Sequence, residues 1–269
     1  MQEPELVLRK GHSSEGRWSL GQGFTVIAGP CAVESRESLI EIAQLISEEG
    51  IRIMRAGIFK PRTSPYSFRG LGGDALPIIA EAKQRFGLQV VSEVMSREDM
   101  SLLAPVIDIF QIGSRNMFNY RLLEDVGKAG KPVLLKRGMM ASLKEFLWSA
   151  EYVMLSGEKR IILCERGVRG FDNETRNLLD LAAVPLLKEK TFLPVIVDPS
   201  HGTGRRNLVI PMARAALAAG ADGVMVEVHP RPDEALSDGP QALDFAGFRR
   251  LVRELRELSH ALSDITKES

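Results

Sequence analysis

The chain has 269 residues, with 35 Lys and Arg against 35 Asp and Glu, and a formal net charge of zero. No global field draws it to nucleic acid or to a membrane surface, so affinity for an anion must come from local clustering. Hydrophobic residues make up 44%, enough for a sizeable core, while no apolar run reaches the roughly 18 residues of a membrane span. The polar start, 1–16, lacks a signal-peptide core, and a cytoplasmic location is expected. The two cysteines, Cys31 and Cys164, make no disulfide framework.

Residues 1–23 read as an N-terminal extension with a short strand at 6–8. From residue 24 a strand–helix rhythm sets in. A strand at 24–28 precedes a helix over 35–49, with Ser35 as N-cap and Gly50 as its stop. A strand at 51–58 is followed by a helix over 74–86, stopped by Gly87. A strand at 88–94 leads to a short helix from Ser96 to 103, and one at 106–112 to a helix capped by Asn119 that runs to 128. The strand at 132–136 precedes a helix from Ser142 to 155. The strand at 160–164 precedes a helix around 173–183. The strand at 194–197 precedes one over about 207–219, and the strand at 223–228 precedes the last helix, 245–262.

Eight such pairs in one unit, 24–269, predict an α/β fold, a single (β/α)8 barrel. The strands are continuous apolar runs, as parallel strands covered on both faces require. The alternative is an open doubly wound sheet. No Gly-x-Gly-x-x-Gly follows the first strand, which argues against that sheet and against a dinucleotide site.

Barrels of this kind carry their sites at the C-terminal ends of the strands. There the sequence sets Cys31; Arg55 with Lys60 and Arg62; Glu93; Gln111, Ser114 and Arg115; Lys136 and Arg137; Glu165, Arg166 and Arg169; Asp198 and His201; and Glu227, His229 and Asp238. The opposite ends begin with Phe24, Ile51, Pro132 and Pro194, apolar or stiff. Charges on core strands are costly unless paired or bound to a ligand. Two chemistries follow. Arg55, Lys60, Arg62, Arg115, Lys136 and Arg166 would repel one another unless a multiply charged anion, such as a phosphate with a carboxylate, relieves them. The alternative is structural pairing with Glu93, Glu165 or Asp198. Cys31, His201, Glu227 and Asp238 lie at the ends of strands one, seven and eight, neighbours once the barrel closes. Thiolate, imidazole and carboxylates suit a divalent transition ion. His229 competes with Glu227, since i and i+2 share a strand face; a buried structural thiol is the commoner role for a cysteine, but the place of Cys31 after Gly-Pro at a strand end favours function. Cys164 reads as packing, and His12 and His260 as surface residues. The stretch 60–69, with three cations and two prolines, is either a stiff anion-receiving loop or a plain surface loop. The glycines of 201–206 lack the full P-loop pattern.

Gly29-Pro-Cys-Ala-Val-Glu-Ser35, Lys60-Pro-Arg-Thr-Ser64, Gln111-Ile-Gly-Ser-Arg115, Leu135-Lys-Arg-Gly138, Asp198-Pro-Ser-His-Gly-Thr-Gly204 and Glu227-Val-His-Pro230 together resemble the 3-deoxy-D-arabino-heptulosonate 7-phosphate (DAHP) synthase family, in its short Iβ-like class. The related 3-deoxy-D-manno-octulosonate 8-phosphate synthases share much of this pattern. The resemblance implies a (β/α)8 barrel that condenses phosphoenolpyruvate with erythrose 4-phosphate, the first step toward chorismate and the aromatic amino acids. It implies a divalent metal ion (Mn, Zn, Fe or Co) on Cys31, His201, Glu227 and Asp238. It also implies a phosphoenolpyruvate site at Arg55, Lys60, Arg115, Lys136 and Arg166, an aldose phosphate site at Arg62, Thr63 and Ser64, and Ser114 as a further substrate-binding residue. Lys60, between the two anion sites, is the candidate proton donor beside Cys31 and His201. Octulosonate enzymes typically show Lys-Ala-Asn-Arg-Ser/Thr-Ser where this chain has Lys60-Pro-Arg-Thr-Ser64, a difference that favours the four-carbon aldose and leaves arabinose 5-phosphate as the alternative. Their metal-independent members carry Asn at the position of Cys31. A barrel aldolase with a Schiff base on Lys136, or a silent phosphate-binding module, are the readings outside the family. The resemblance suggests a homo-oligomer, a tetramer. With 23 residues ahead of the first strand, no in-chain regulatory domain, and no feedback inhibition by Phe, Tyr or Trp through one, is expected.

Overall fold

The computed structural model describes residues 23–62 and 64–267. The expected strand at 6–8, His12 and Thr63 lie outside the described residues. The chain alternates β1 (Thr25–Ala28), α1 (Arg36–Glu48), β2 (Ile53–Arg55), α2 (Ala75–Phe86), β3 (Gln89–Glu93), α3 (Arg97–Leu103), β4 (Ile109–Ile112), α4 (Tyr120–Lys128), β5 (Val133–Lys136), α5 (Leu143–Leu155), β6 (Ile161–Glu165), α6 (Ala183–Lys190), β7 (Val195–Val197), α7 (Pro199–Thr203), α8 (Arg206–Ala218), β8 (Gly223–Val226) and α9 (Phe245–Lys267). All neighbouring strands pair in parallel and in sequence order. β8 returns to β1 in the register Thr25↔Gly223, and the eight strands close into a barrel. Among the described residues no helix is long and apolar enough to cross a membrane.

Local chemistry explains several helix ends. Ser35, Ser96, Asn119 and Ser142 each accept a hydrogen bond from a backbone N–H three residues on. That bond satisfies donors the first turn leaves orphaned. Ser142 and Glu145 form a reciprocal capping box. Gly87 closes α2 with φ 64, a left-handed conformation that glycine adopts without Cβ strain.

The structure departs from these expectations in several places. The helix around 173–183 is absent: that segment lies along the barrel mouth, where Arg176 N–H and Asn177 N–H donate to the carbonyls of Thr203 and Gly202. With those donors committed outward, the helix starts only at Ala183. Pro185 falls in its first turn, where no N–H is needed. The short α7 was unforeseen. Asp198 caps it, and Pro199 opens it. The second and fourth strands are also shorter than 51–58 and 106–112, because their flanks turn into loops.

Side chains alternate across each strand. One set fills the barrel interior: Ile27, Ile53, Val91, Ile109, Leu134, Ile162, Cys164, Ile196 and Met225. The other faces the helices and joins residues such as Leu39, Phe146 and Phe248 in an outer core. Cys164 is fully buried in the interior set, and burial pushes its thiol up to about 12. It is packing, as its apolar strand implies.

Candidate active site

The interior register builds the site. Two residues beyond the interior Ile53, Val91, Ile109, Leu134, Cys164, Ile196 and Met225 stand Arg55, Glu93, Gln111, Lys136, Arg166, Asp198 and Glu227. All seven are buried and form a polar layer at the C-terminal mouth. In β1 the equivalent position is Gly29, at φ 129, where a Cβ would lie 2.3 Å from the Arg55 carbonyl oxygen. Only glycine leaves room there, and its carbonyl accepts from Arg55 Nη2 at 3.0 Å. The intervening residues point outward: Arg137 pairs with Glu165 at 2.8 Å and Asp180 at 3.0 Å, behind the strands. Strand parity therefore separates Lys136 and Arg166 from their sequence neighbours.

Above this layer lies a cavity of about 320 Å3, within the usual range of small-molecule sites. Lys60, Arg62, Ser64, Ser114, Arg115, Lys136 and Arg166 all line it. Arg55 sits deeper and donates to Glu227. Lys136 pairs with Asp198 at 2.5 Å, and Lys60 with Asp238. Arg62 donates to Ser237 Oγ at 3.2 Å. Arg166 donates to the Gly167 and His201 carbonyls. Neither Arg115 nor Arg166 has an ion-pair partner among the described residues, and burial lowers the Arg166 guanidinium below its usual range. Part of the cation set is thus internally paired and part is left facing the cavity, a distribution that suits an anionic ligand.

Glu93 also faces the cavity. Its Oε2 accepts from Gln111 Nε2 at 3.2 Å, while its Oε1 has no partner among the described residues. A Cβ on Gly113 would meet that Oε1 at 2.0 Å. Burial pushes the Glu93 carboxyl up, against the pull of Lys136 and Arg115. A raised pKa means that the folded chain holds this proton more tightly than the unfolded chain. The associated stability is full below the unfolded value and is lost as pH rises through the folded one. Glu93→Gln is therefore expected to raise the melting temperature of the ligand-free chain at pH 7 by about 2 to 4 °C, from about 1 kcal/mol. At pH 4 the gain should vanish. Melts at both pH values check this, and an equal shift at both contradicts it.

The second set converges as well. Cys31, His201, Glu227 and Asp238 each offer a donor atom, and these lie within 4.8 Å of one another. Cys31 N–H donates to Glu227 Oε1 at 2.7 Å, which ties the β1 loop to the end of β8. His201 rides on α7. Its Nδ1 lies 2.9 Å from Asp198, and its Nε2 faces Asp238 at 3.2 Å and Glu227 at 4.0 Å. Asp198 thus turns one ring nitrogen toward the cluster, the usual arrangement behind a ligating imidazole. Burial opposes the Cys31 thiolate, but Lys60, Arg55 and His201 outweigh it and bring the thiol below its usual value. Burial likewise opposes ionisation of Asp238, and His201 and Lys60 hold it far below the carboxylate range. One thiolate, one imidazole and two carboxylates at this spacing fit a divalent transition ion. Asp238 is the one non-glycine residue with positive φ (59) among the described residues. Asp tolerates that conformation better than most residues.

The structure also decides between Glu227 and His229. β8 ends at Val226; Glu227 still follows the interior register two residues beyond Met225, but His229 lies past the strand and escapes it. Glu227 turns into the cluster, while His229 contacts Glu34. Sequence reading missed Arg176, which reaches the cavity from the loop after β6 and lies 3.8 Å from Asp238. Nothing in its neighbourhood marks it, because the loop carries no periodic pattern.

Fold and mouth together define a class: (β/α)8 barrel enzymes with a cation-lined cavity at the C-terminal mouth. The model of the DAHP synthetase I family matches residues 12–264. A phospho-2-dehydro-3-deoxyheptonate aldolase of Thermotoga maritima is 52% identical over 264 residues, covering 96% of this chain and 78% of that protein. A 2-dehydro-3-deoxyphosphooctonate aldolase of Acidithiobacillus ferrooxidans is 32% identical over 260 residues, covering 90% and 91%. Among solved structures, the crystal structure of the Thermotoga maritima DAHP synthase superposes with a TM-score of 0.87 at 53% identity, covering 90% of this chain and 71% of that one. A truncated form of the 3-deoxy-D-arabino-heptulosonate 7-phosphate synthase of Thermotoga maritima gives 0.84 at 50%, covering 90% and 89%. The chain belongs to the DAHP synthetase I family, and it is a transferase.

Proposed function

We propose that the chain condenses phosphoenolpyruvate with erythrose 4-phosphate, giving 3-deoxy-D-arabino-heptulosonate 7-phosphate and inorganic phosphate, with a divalent ion held by Cys31, His201, Glu227 and Asp238. The observation that carries this reading is the cavity that joins the two sets, since Arg115, Lys136 and Arg166 line the same space as Cys31, His201 and Asp238. The four-carbon aldose is supported by 52% identity to the heptonate enzyme against 32% to an octonate one, and by the stretch Lys60-Pro-Arg-Thr-Ser64.

Arg115, Lys136 and Arg166, with Ser114 beside them and Arg55 beneath, hold the phosphate and carboxylate of the enolpyruvate and place its C3 against the aldehyde carbon. Arg62, Thr63 and Ser64 receive the aldose phosphate. When bound, a divalent ion supplies Lewis-acid polarisation or a low-pKa water. C3 bonds to the aldehyde carbon, water adds at C2, and phosphate leaves with C–O cleavage. Lys60 gives its proton to the new alkoxide. Burial opposes its charge, but Cys31, Asp238 and Glu227 raise its pKa, so the ammonium is present to act as the acid. Lys136, held against Asp198, is poorly placed to serve as a Schiff-base amine.

A coupled assay of phosphate release tests this. It supplies phosphoenolpyruvate with erythrose 4-phosphate or with arabinose 5-phosphate, each with and without EDTA. Turnover with the four-carbon sugar, abolished by EDTA, is expected. A preference for arabinose 5-phosphate overturns the aldose assignment, and turnover that survives EDTA overturns the metal. In the same assay Lys60→Met is expected to fall well below wild type, and unchanged turnover removes Lys60 from proton transfer.

A further inference from the structure

We propose that Glu34 and His229 act as a positioning clasp that sets the geometry of the cluster of Cys31, His201, Glu227 and Asp238. The inference rests on reading that cluster as a metal centre. Both residues belong to the sequence patterns around Cys31 and Glu227, and the condensation chemistry gives neither a role.

Each stands close in sequence to a cluster residue. Glu34 lies three residues past Cys31, and His229 two past Glu227. Glu34 Oε2 meets His229 Nε2 at 3.2 Å, and Glu34 Oε1 accepts from the backbone N–H of Ser237, the residue before Asp238, at 3.0 Å. His229 Nδ1 accepts from the backbone N–H of Arg231 at 3.1 Å. That contact leaves Nε2 as the nitrogen that carries the proton and donates to Glu34. Both carboxylate oxygens and both ring nitrogens are therefore committed. The two side chains are only 9% and 10% exposed.

The barrel does not need this contact to close. β1 and β8 already pair through four registered residues, Thr25 to Ala28 against Gly223 to Val226. The clasp lies beyond them and ties together only the loops that carry Cys31, Glu227 and Asp238. Its grip on Ser237 matters most. The next residue, Asp238, holds the left-handed conformation at φ 59, and the Glu34–Ser237 bond fixes the peptide that leads into it. Ser237 passes the constraint on, since its Oγ accepts from Lys60 at 2.5 Å and from Arg62 at 3.2 Å. Groups that orient metal ligands in this way tune affinity without touching the ion.

The test titrates the metal-free full chain with Co2+ and follows the thiolate-to-metal absorption of an ion bound at Cys31. Wild type is expected to take up Co2+ at this site. Glu34→Ala is expected to bind it about 10- to 100-fold more weakly, in a metal-free chain that still folds with a single cooperative melt. Glu34→Gln keeps an acceptor for Ser237 N–H and should fall between the two. Affinity within about two-fold of wild type in Glu34→Ala overturns the inference while leaving the metal reading intact. If Glu34→Ala does not fold, Glu34→Gln decides in the same way: weaker binding supports the clasp and unchanged affinity overturns it. A wild-type chain that binds no Co2+ overturns the metal reading, and the clasp with it.

Discussion

Cys31→Ala is expected to lower turnover of phosphoenolpyruvate with erythrose 4-phosphate by more than about 100-fold while leaving the fold intact. The lower bound comes from the residues behind metal ligands: losing a group that only orients a ligand costs about 10- to 100-fold, and losing the ligand itself should cost more. Cys31 is suited to the role by its surroundings. It is only partly exposed, and three neighbouring cationic groups hold its thiol below the usual value despite burial. The fold should survive because the bond that anchors this loop runs from the Cys31 backbone N–H to Glu227, which alanine retains. Cys31→Ser separates donor from thiolate: it keeps an oxygen but loses the soft ligand, and soft or borderline ions should be held less well. Chelation should reproduce the loss in wild type, reversibly on adding back an ion, whereas added ion should not rescue Cys31→Ala at the same concentration. Steady-state rates with matched melting curves measure this. Full rate in Cys31→Ala refutes the assignment.

Most of the fold was legible because each strand–helix pair carries its own punctuation. Ser35, Ser96, Asn119 and Ser142 announce helix starts by side-chain chemistry that acts within three residues, and the structure uses all four as caps. The segment 173–183 failed for the opposite reason. Its backbone donors go to Gly202 and Thr203, partners remote in sequence that no local propensity reports. The site was legible as a set of residue types at strand ends, but its pairing was not. Lys136 and Arg137 are adjacent, yet one faces the cavity and the other Glu165 behind the sheet. A shift of one residue in register would exchange them. His229 shares the parity of Glu227, yet only Glu227 keeps the inward direction of Met225, because His229 lies three residues past the end of β8 at Val226. Arg176 reaches the cavity only because its loop is drawn across the mouth. The roles given to the cations and to the cluster came from the resemblance of whole motifs, and the geometry adds which acids hold which cations.

Asp198→Ala is expected to destabilise the metal-free chain by about 3 to 5 kcal/mol, the usual cost of removing one partner of a buried ion pair. That is a large part of the roughly 5 to 15 kcal/mol that holds a domain together. Asp198 is fully buried. It lies 2.5 Å from Lys136 Nζ, 2.9 Å from His201 Nδ1 and 3.9 Å from Arg55 Nη1. Its Oδ1 also accepts the His201 backbone N–H and caps α7. Alanine leaves the cations without this counter-charge and opens the helix start, whereas Asp198→Asn keeps the cap and removes only the charge. The Asn variant should therefore recover about 1 kcal/mol, the worth of an N-cap, and no more. Burial opposes the Asp198 charge, yet His201 and Lys136 hold its pKa well below the ordinary 3.8. Such a depressed group contributes stability that is present above its unfolded value and is lost as pH falls. Burial opposes the His201 charge in turn, and Asp198 overcomes it, raising the imidazole from 6.5 to about 9. That contribution is full below 6.5 and is lost as pH rises through about 9. The deficit of Asp198→Ala should thus be widest between about pH 4 and 6.5, narrowing toward acid as Asp198 is protonated and toward pH 9 as His201 loses its proton. Urea denaturation in chelator across pH 3 to 9 reads both the depth and the window. A deficit below about 1 kcal/mol throughout contradicts the central place given to Asp198, and a deficit that does not vary with pH contradicts its pairing with His201.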